Sequence, residues 1–370
     1  MEKDLSKLSD DELFKLKQQY TYDVSKFKNL QTAKKVQLNS AYGALGNEYF
    51  RFFDIRQAEA ITLSGQLSIR WIANAVNKYL NKLLDTKDKD FILAIDTDSI
   101  YVKLEDVVNF VYKDKQIPEP QKVVGVLDKF CEDKLQPFID NSYQKLATYV
   151  NAYKQTMKMK RENIADNAIW TAKKRYIMNV YDKEGVRLAE PDLKIMGIEA
   201  VKSSTPTVCR KKIKEALKII MTGDESALQK YIRTFQKEFV TLDPDQVAFP
   251  RSVNGISKWQ DTVLGHKKGT PIHVKASIVY NRMLVDKHLT KKYHKIQEGD
   301  KIKFLYLKEP NPSMSKVIAI IDGLPEEMGL HPYVDYEMQF VKAFLDPLSI
   351  ILSAIGWTSE KQNTLDHLLE

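Results

Sequence analysis

Apolar and polar positions alternate along the chain with periods that change every few dozen residues, and each change marks an element. Ser9-Asp10-Asp11-Glu12 has the form of a capping box and opens a helix. Phe27, Leu30, Ala33, Lys34, Leu38 and Ala41 follow at mixed three and four spacing up to the breakers Gly43 and Gly46, so a second helix is expected and the two read as a helical hairpin. Between Arg56 and Leu84, Ile72, Val76, Tyr79, Leu80 and Leu83 share one face of a long helix. Two strands come next, Phe91 to Ile95 and Ser99 to Lys103, parted only by Asp96-Thr97-Asp98. That spacing predicts a tight hairpin with carboxylates at its tip.

Residues 107 to 160 read as helical, with Val123, Val126, Leu127, Phe130, Leu135, Phe138 and Ile139 on the buried side. A second hairpin is expected to turn near Asp166-Asn167 and return through Ala168-Ile169-Trp170 to Lys173–Tyr181, with Lys183-Glu184-Gly185 closing another strand pair. Thr205 reads as a helix N-cap with Pro206 in the first helical position. Gly223-Asp224-Glu225-Ser226 breaks that helix before a second one that runs to Phe239. From 241 to 310, Pro, Gly and short alternating runs such as Ile272-His273-Val274-Lys275 predict a small irregular sheet region. A last helix runs from Tyr336 through Leu352. Short strands with helices between them define the class as α+β, an antiparallel sheet layer flanked by helices.

Composition narrows the function classes. The chain has 370 residues, enough for about two or three domains. Its 43% hydrophobic and 10% aromatic content excludes disorder, and 14 Gly exclude collagen-like or Gly-rich linker character. The longest apolar runs are only a few residues, and the charged start MEKDLSKLSDDEL lacks an apolar h-region, so neither a membrane partner nor a signal peptide is expected and the localisation reads as cytoplasmic. Cys131 and Cys209 stand alone, which argues against a disulfide framework or a zinc site. The net charge of +8, with six basic residues and one acidic one from Lys202 to Lys218, suits a polyanion such as nucleic acid without requiring one.

Three groups of residues carry candidate chemistry. Asp96 and Asp98 at a strand turn can aim two carboxylates at one point, and a divalent cation with a taste for hard oxygen ligands resolves their repulsion; an exposed Asx-type turn is the alternative. Lys35, Asn39 and Tyr42, spaced by four and three, lie on one helical face, where a cation, an amide and a ring can grip a triphosphate and stack on a base while Gly43 removes bulk; a solvated helix with an unrelated Gly cap is the alternative. In Lys173-Lys174-Arg175-Tyr176, strand alternation would point Lys174 and Tyr176 together toward a phosphate backbone, and Lys202 with Ser203, Ser204 and Thr205 places donors at a helix N-terminus. A charged strand end and an ordinary cap are the alternatives there.

In this order, the groups resemble the C-terminal part of a family B DNA polymerase of T-even-like bacteriophages. Lys35-Val36-Gln37-Leu38-Asn39-Ser40-Ala41-Tyr42-Gly43 is similar to the fingers motif Lys-x-x-x-Asn-Ser-x-Tyr-Gly. Asp96-Thr97-Asp98-Ser99 resembles the metal-binding motif of the palm, with Ala94-Ile95 standing where Tyr-Gly is common. Lys174-Arg175-Tyr176 resembles the primer-contacting Lys-x-Tyr motif, and Leu193 to Glu199 with Lys202 to Pro206 resembles the junction of palm and thumb. Residues 241 to 335 match much more weakly.

The resemblance implies a division into a fingers part (1–46), a second palm segment (47–197), a mostly helical thumb (198–358) and a tail (359–370). It implies a DNA-directed DNA polymerase that transfers a nucleotide from a dNTP to a primer 3′-hydroxyl with two Mg²⁺ ions. Asp98 and Asp96 would be the catalytic metal ligands, with Glu162 a third candidate. Lys35, Asn39, Tyr42 and Gly43 would bind the nucleotide. Thr97, Lys173, Lys174, Arg175, Tyr176, Lys202 and Ser204 would meet primer–template DNA. The palm run Asp-x-x-Ser-Leu-Tyr-Pro and an Asp-Ile-Glu exonuclease motif are absent from the 370 residues. An N-terminal chain carrying them is therefore the expected partner, as in a split polymerase; a non-catalytic DNA-binding or assembly subunit is the rival. In the tail, Gln362, Leu365, Leu368 and Leu369 have the spacing of a sliding-clamp peptide, with an amphipathic helix end as the alternative.

Overall fold

The computed structural model describes residues 8–113, 115–261 and 265–360. It divides into two compact units, the first comprising Met1–Lys115 and Glu132–Lys160, the second Gln116–Cys131 and Arg161–Glu370. Helices and small antiparallel sheets are interspersed in the α+β manner that the pattern predicts.

The first unit begins with α1 (Asp10–Leu45), one unbroken helix of 36 residues. The expected hairpin is thus corrected to a single helix: no Gly or Pro interrupts the chain between Asp10 and Tyr42, and Gly43 is tolerated inside the last turn. Glu12 accepts from both the backbone N–H and the hydroxyl of Ser9, at 2.9 and 2.7 Å, fastening the helix start. No residue of α1 is buried.

Asp54 caps α2 (Ile55–Leu83) by accepting from the Arg56 N–H. Ile69, Ile72, Ala73, Val76 and Leu80 form its buried stripe, while Leu83, expected inside, is exposed. Tyr79 stacks on Phe138 with ring centroids 4.4 Å apart, and the Trp71 indole N–H donates to the Ser142 carbonyl at 3.1 Å. These contacts seat α5 (Gln136–Tyr149) on α2.

Strands β1 (Ile92–Asp96) and β2 (Ser99–Val102) form the expected hairpin, followed by α3 (Glu105–Val111). The helical reading of 107 to 160 is corrected. The chain leaves helix after Val111, and α4 (Pro120–Phe130) starts at Pro120, whose missing N–H suits a first turn. A π-helical turn, Cys131–Leu135, carries α4 into α5, and the segment after Tyr149 is not helical, with Asn151 at a φ of 51°.

In the second unit, β3 (Asn163–Ala172), β4 (Arg175–Lys183) and β5 (Val186–Met196) form an antiparallel sheet in chain order. The turn expected at Asp166-Asn167 is not there. Both residues lie within β3, where the Asn179 amide donates to the Asp166 carboxylate at 2.9 Å, and the chain reverses at Lys173-Lys174 instead. Asp182, fully buried, pairs with Arg161 and Arg187, and Asp128 on α4 reaches the same two guanidinium groups. Four charges thereby tie α4 to the sheet.

Helices α6 (Thr207–Thr222) and α7 (Glu225–Phe239) are separated at Gly223, as expected. The start of α6 lies one position later than predicted: Pro206 is the cap residue and Thr205 is buried before it. Next come α8 (Pro244–Val247), β6 (Phe249–Ser252), α9 (Ile256–Trp259) and the short pair β7 (Gln260–Asp261) and β8 (Gly265–His266). Ile272 to Lys275, expected as strand, open α10 (Ile272–Asp286). Their alternation lasts only four residues, whereas Val274, Ile278, Val279, Met283 and Leu284 continue a buried helical face.

Strands β9 (Lys301–Tyr306) and β10 (Val317–Ile320) join β6 in a sheet ordered β10-β9-β6. Helix α11 (Tyr336–Phe340) runs through a π-helical turn into α12 (Asp346–Ile355). By length and composition this 20-residue stretch, with a mean hydropathy of 1.4, is apolar enough to cross a membrane. Its Phe340, Phe344, Leu348, Ile351 and Leu352 are buried in the core of the second unit, against Phe235 and Phe239. That is the position of a core helix.

Candidate active site and nucleic-acid interface

The acidic hairpin is positioned from α2. Asn77 accepts from the Phe91 N–H at 2.8 Å, and one turn later Asn81 accepts from the Lys89 N–H at 2.9 Å and donates to the Lys89 carbonyl at 2.8 Å. Two amides on one helical face thus hold the entry to β1. Asp96 faces Ser99 across the ladder, leaving Thr97 and Asp98 as the turn residues.

Thr97 has a φ of 55°, in the left-handed region that a β-branched side chain resists. The Thr97 hydroxyl donates to the Asp96 carboxylate and the Ser99 hydroxyl to the Asp96 carbonyl, both at 3.1 Å. Asp98 is exposed and Asp96 half-buried. Burial first, and then the negative charge of Asp98, push the phenol of buried Tyr143 upward. The outer side of β1 is apolar and open, with Leu93 and Ile95 exposed.

Lys35, Asn39, Tyr42 and Gly43 lie on the exposed surface of α1, the Tyr42 phenol 3.1 Å from the Thr62 hydroxyl of α2. A Cβ on Gly43 would meet nothing within 4 Å. Glu162 is held by Lys194 at 2.9 Å, and that hydrogen bond keeps its carboxyl below the ordinary value. Among the described residues no group of three or more His, Cys, Asp or Glu could hold a metal. The donor chemistry of Asp96 and Asp98 suits Mg²⁺, which takes one or two carboxylates and keeps several waters.

The second unit brings together the two basic segments that the sequence shows thirty residues apart. Lys174 has a φ of 61° and sits in the turn, so the strand-face pairing with Tyr176 does not hold. Tyr176 is buried and lies over Trp170, ring centroids 5.6 Å apart, while Lys173 and Lys174 are exposed. Gly197, at a φ of 66°, backs onto this turn so closely that a Cβ there would stand 2.2 Å from the Lys174 carbonyl oxygen.

Glu199 then takes the Arg175 guanidinium on one oxygen and the Lys202 ammonium on the other, each at 2.9 Å. Sequence reasoning did not single out Glu199; its signal was an acid placed between two basic runs. Ser204 is half-buried, and its carbonyl accepts from Arg251 at 2.7 Å. Gln362, Leu365, Leu368 and Leu369 lie outside the described residues.

A Lys-x-x-x-Asn-x-x-Tyr helix face, an acidic hairpin and a basic turn, in this order along the chain, accompany a similarity to phage DNA-directed DNA polymerases. Two such relatives are the DNA-directed DNA polymerases of Enterobacteria phage T4 and Escherichia phage RB69, each 37% identical to this chain over 91% and 90% of its length. The chain spans 38% of the length of each. DNA polymerase beta of African swine fever virus is 25% identical over 57% of the chain. No family model matches the sequence.

Proposed function

We propose that the chain is the C-terminal part of a family B replicative DNA polymerase and that it completes its active site only with a segment bearing the missing palm carboxylate. The observation that carries this reading is the placement of Asp96 and Asp98 at the tip of a hairpin, in a chain 37% identical to two phage polymerases. The segment would be supplied by a separate N-terminal chain that also brings the exonuclease. Residues 1–46, 47–197 and 198–358 would serve as fingers, palm and thumb. The many large apolar residues exposed along α1, Phe14, Tyr22, Phe27 and Leu38 among them, with Leu93 and Ile95 of β1, support a partner of this kind, since their burial on association would be favourable.

In the completed site, Asp98 and Asp96 would hold part of a Mg²⁺ pair, which when bound activates the primer 3′-hydroxyl and neutralises the leaving pyrophosphate. Lys35 would meet the phosphates of the incoming dNTP, and Asn39 and Tyr42 would line the new base pair with Gly43 leaving room. Lys173, Lys174, Arg175, Lys202 and Ser204, with Thr97 beside the acids, would contact primer–template DNA, while Tyr176, buried against Trp170, would support the turn from within rather than meet the DNA itself. The 359–370 tail would dock on a sliding clamp through Gln362, Leu365, Leu368 and Leu369.

The test reconstitutes the chain with a partner carrying Asp-x-x-Ser-Leu-Tyr-Pro and measures primer extension. Asp98→Ala should abolish synthesis and keep DNA binding. Extension by the lone chain would sink the shared-site reading, and full extension by the reconstituted variant would favour a DNA-binding subunit.

A further inference from the structure

The carboxylate of Glu199 sits inside a patch whose other members are cationic, and simple charge arithmetic makes that unfavourable for a surface meeting phosphates. Geometry supplies the reason for it. Arg175 leaves the hairpin turn at the first position of β4, and Lys202 follows the 3₁₀ turn Glu199–Val201. The Glu199 side chain is only 22% exposed, and its two oxygens are committed to different partners, Arg175 Nη2 and Lys202 Nζ. Gly197 closes the backbone against Lys174 two residues before. At the far end, Arg251 ties the Ser204 carbonyl, and the Thr205 N–H donates to the Lys202 carbonyl at 3.1 Å. Burial raises the Glu199 carboxyl, but the hydrogen bond from Lys202, the residue's own backbone N–H and then the charge of Arg175 outweigh it and hold it below the ordinary value.

We propose that Glu199 is a positioning residue that locks the Lys173–Arg175 turn and the Lys202–Ser204 loop into one rigid phosphate-binding unit. The inference rests on the reading of this patch as a DNA contact. A long cation searching many rotamers loses entropy when it meets a phosphate, and a carboxylate that pre-orients two of them lowers that loss. The two segments then engage a nucleic-acid backbone together rather than independently.

The experiment measures binding of a labelled primer–template hairpin to the full chain, over a series of salt concentrations, for Lys174→Ala, Lys202→Ala and the double variant. Each set is made with Glu199 intact and with Glu199→Gln. With Glu199 intact, the two lysine effects should be non-additive by roughly threefold or more. In the Glu199→Gln background they should become additive, and the affinity of Glu199→Gln itself should fall. Arg175→Gln breaks the bridge from its other end and should give the same uncoupling, which separates positioning from a folding defect in one variant. Additive lysine effects in both backgrounds, or tighter binding by Glu199→Gln with a salt slope steeper by about one, would overturn the proposal while leaving the patch a DNA contact. Binding that ignores Lys174→Ala, Lys202→Ala and the double variant would overturn the DNA reading of the patch itself.

Discussion

Gly197 and Lys174 meet backbone to backbone: any side chain at 197 would have its Cβ 2.2 Å from the Lys174 carbonyl oxygen, at a φ of 66° that side chains resist. Gly197→Ala is therefore expected to destabilise the chain by at least about 2 kcal/mol, from left-handed strain and displacement of the turn. Denaturant unfolding measures it. Stability within error of the parent would show that the turn does not rest on this glycine.

Asp182 is fully buried between Arg161 and Arg187. Removing one member of a buried ion network strands the others, so Asp182→Ala should cost about 3 kcal/mol. The exposed pair Lys342–Asp346 offers the comparison, and Lys342→Ala should cost far less, because solvent screens an exposed ion pair. Equal losses in thermal unfolding would refute the distinction.

Helix α1 and the core of the second unit should respond oppositely to apolar truncation. Leu38 is 75% exposed and Leu217 is fully buried. Leu38→Ser is expected to change stability by no more than about 0.5 kcal/mol, and Leu217→Ala to cost about 2–5 kcal/mol. Leu38→Ser should instead weaken capture of the proposed partner segment in a pull-down with purified components.

Glu327 accepts from the Lys292 ammonium, its own backbone and the Tyr293 phenol, and these hold its carboxyl at about 2. For a carboxylate with a depressed folded value, the contribution to stability is present above the unfolded value of about 4.3 and is lost as pH falls through the folded one. The group should thus titrate near pH 2 by carboxyl-carbon NMR. Lys292→Ala should move its midpoint up toward the ordinary range, and an unchanged midpoint would remove Lys292 as the cause.

What was legible in the sequence follows from how local each signal is. The β1–β2 hairpin, α2, and the α6–α7 break at Gly223 rest on periodicity and turn residues within a few positions, and all appear as expected. The turn at Lys173-Lys174 was missed because its seat, Gly197, is far along the chain, while Asp166-Asn167 carries the commoner turn composition. Residues 272–275 show how four alternating positions mislead when a buried helical face continues beyond them. At the candidate site, the Asp pair and both basic segments were visible as motifs. Their joining through Glu199 was not, since side-chain pairing across a fold leaves no spacing to read.

The amides of Asn77 and Asn81 grip the acidic ribbon at its root, while Leu93 and Ile95 further out stay uncovered. Mechanically this is a cantilever clamped at one end, with its two carboxylates at the free one. A cover laid over those two aliphatic residues would stiffen the beam, so that under the proposed assembly docking and alignment of the acids would be a single event.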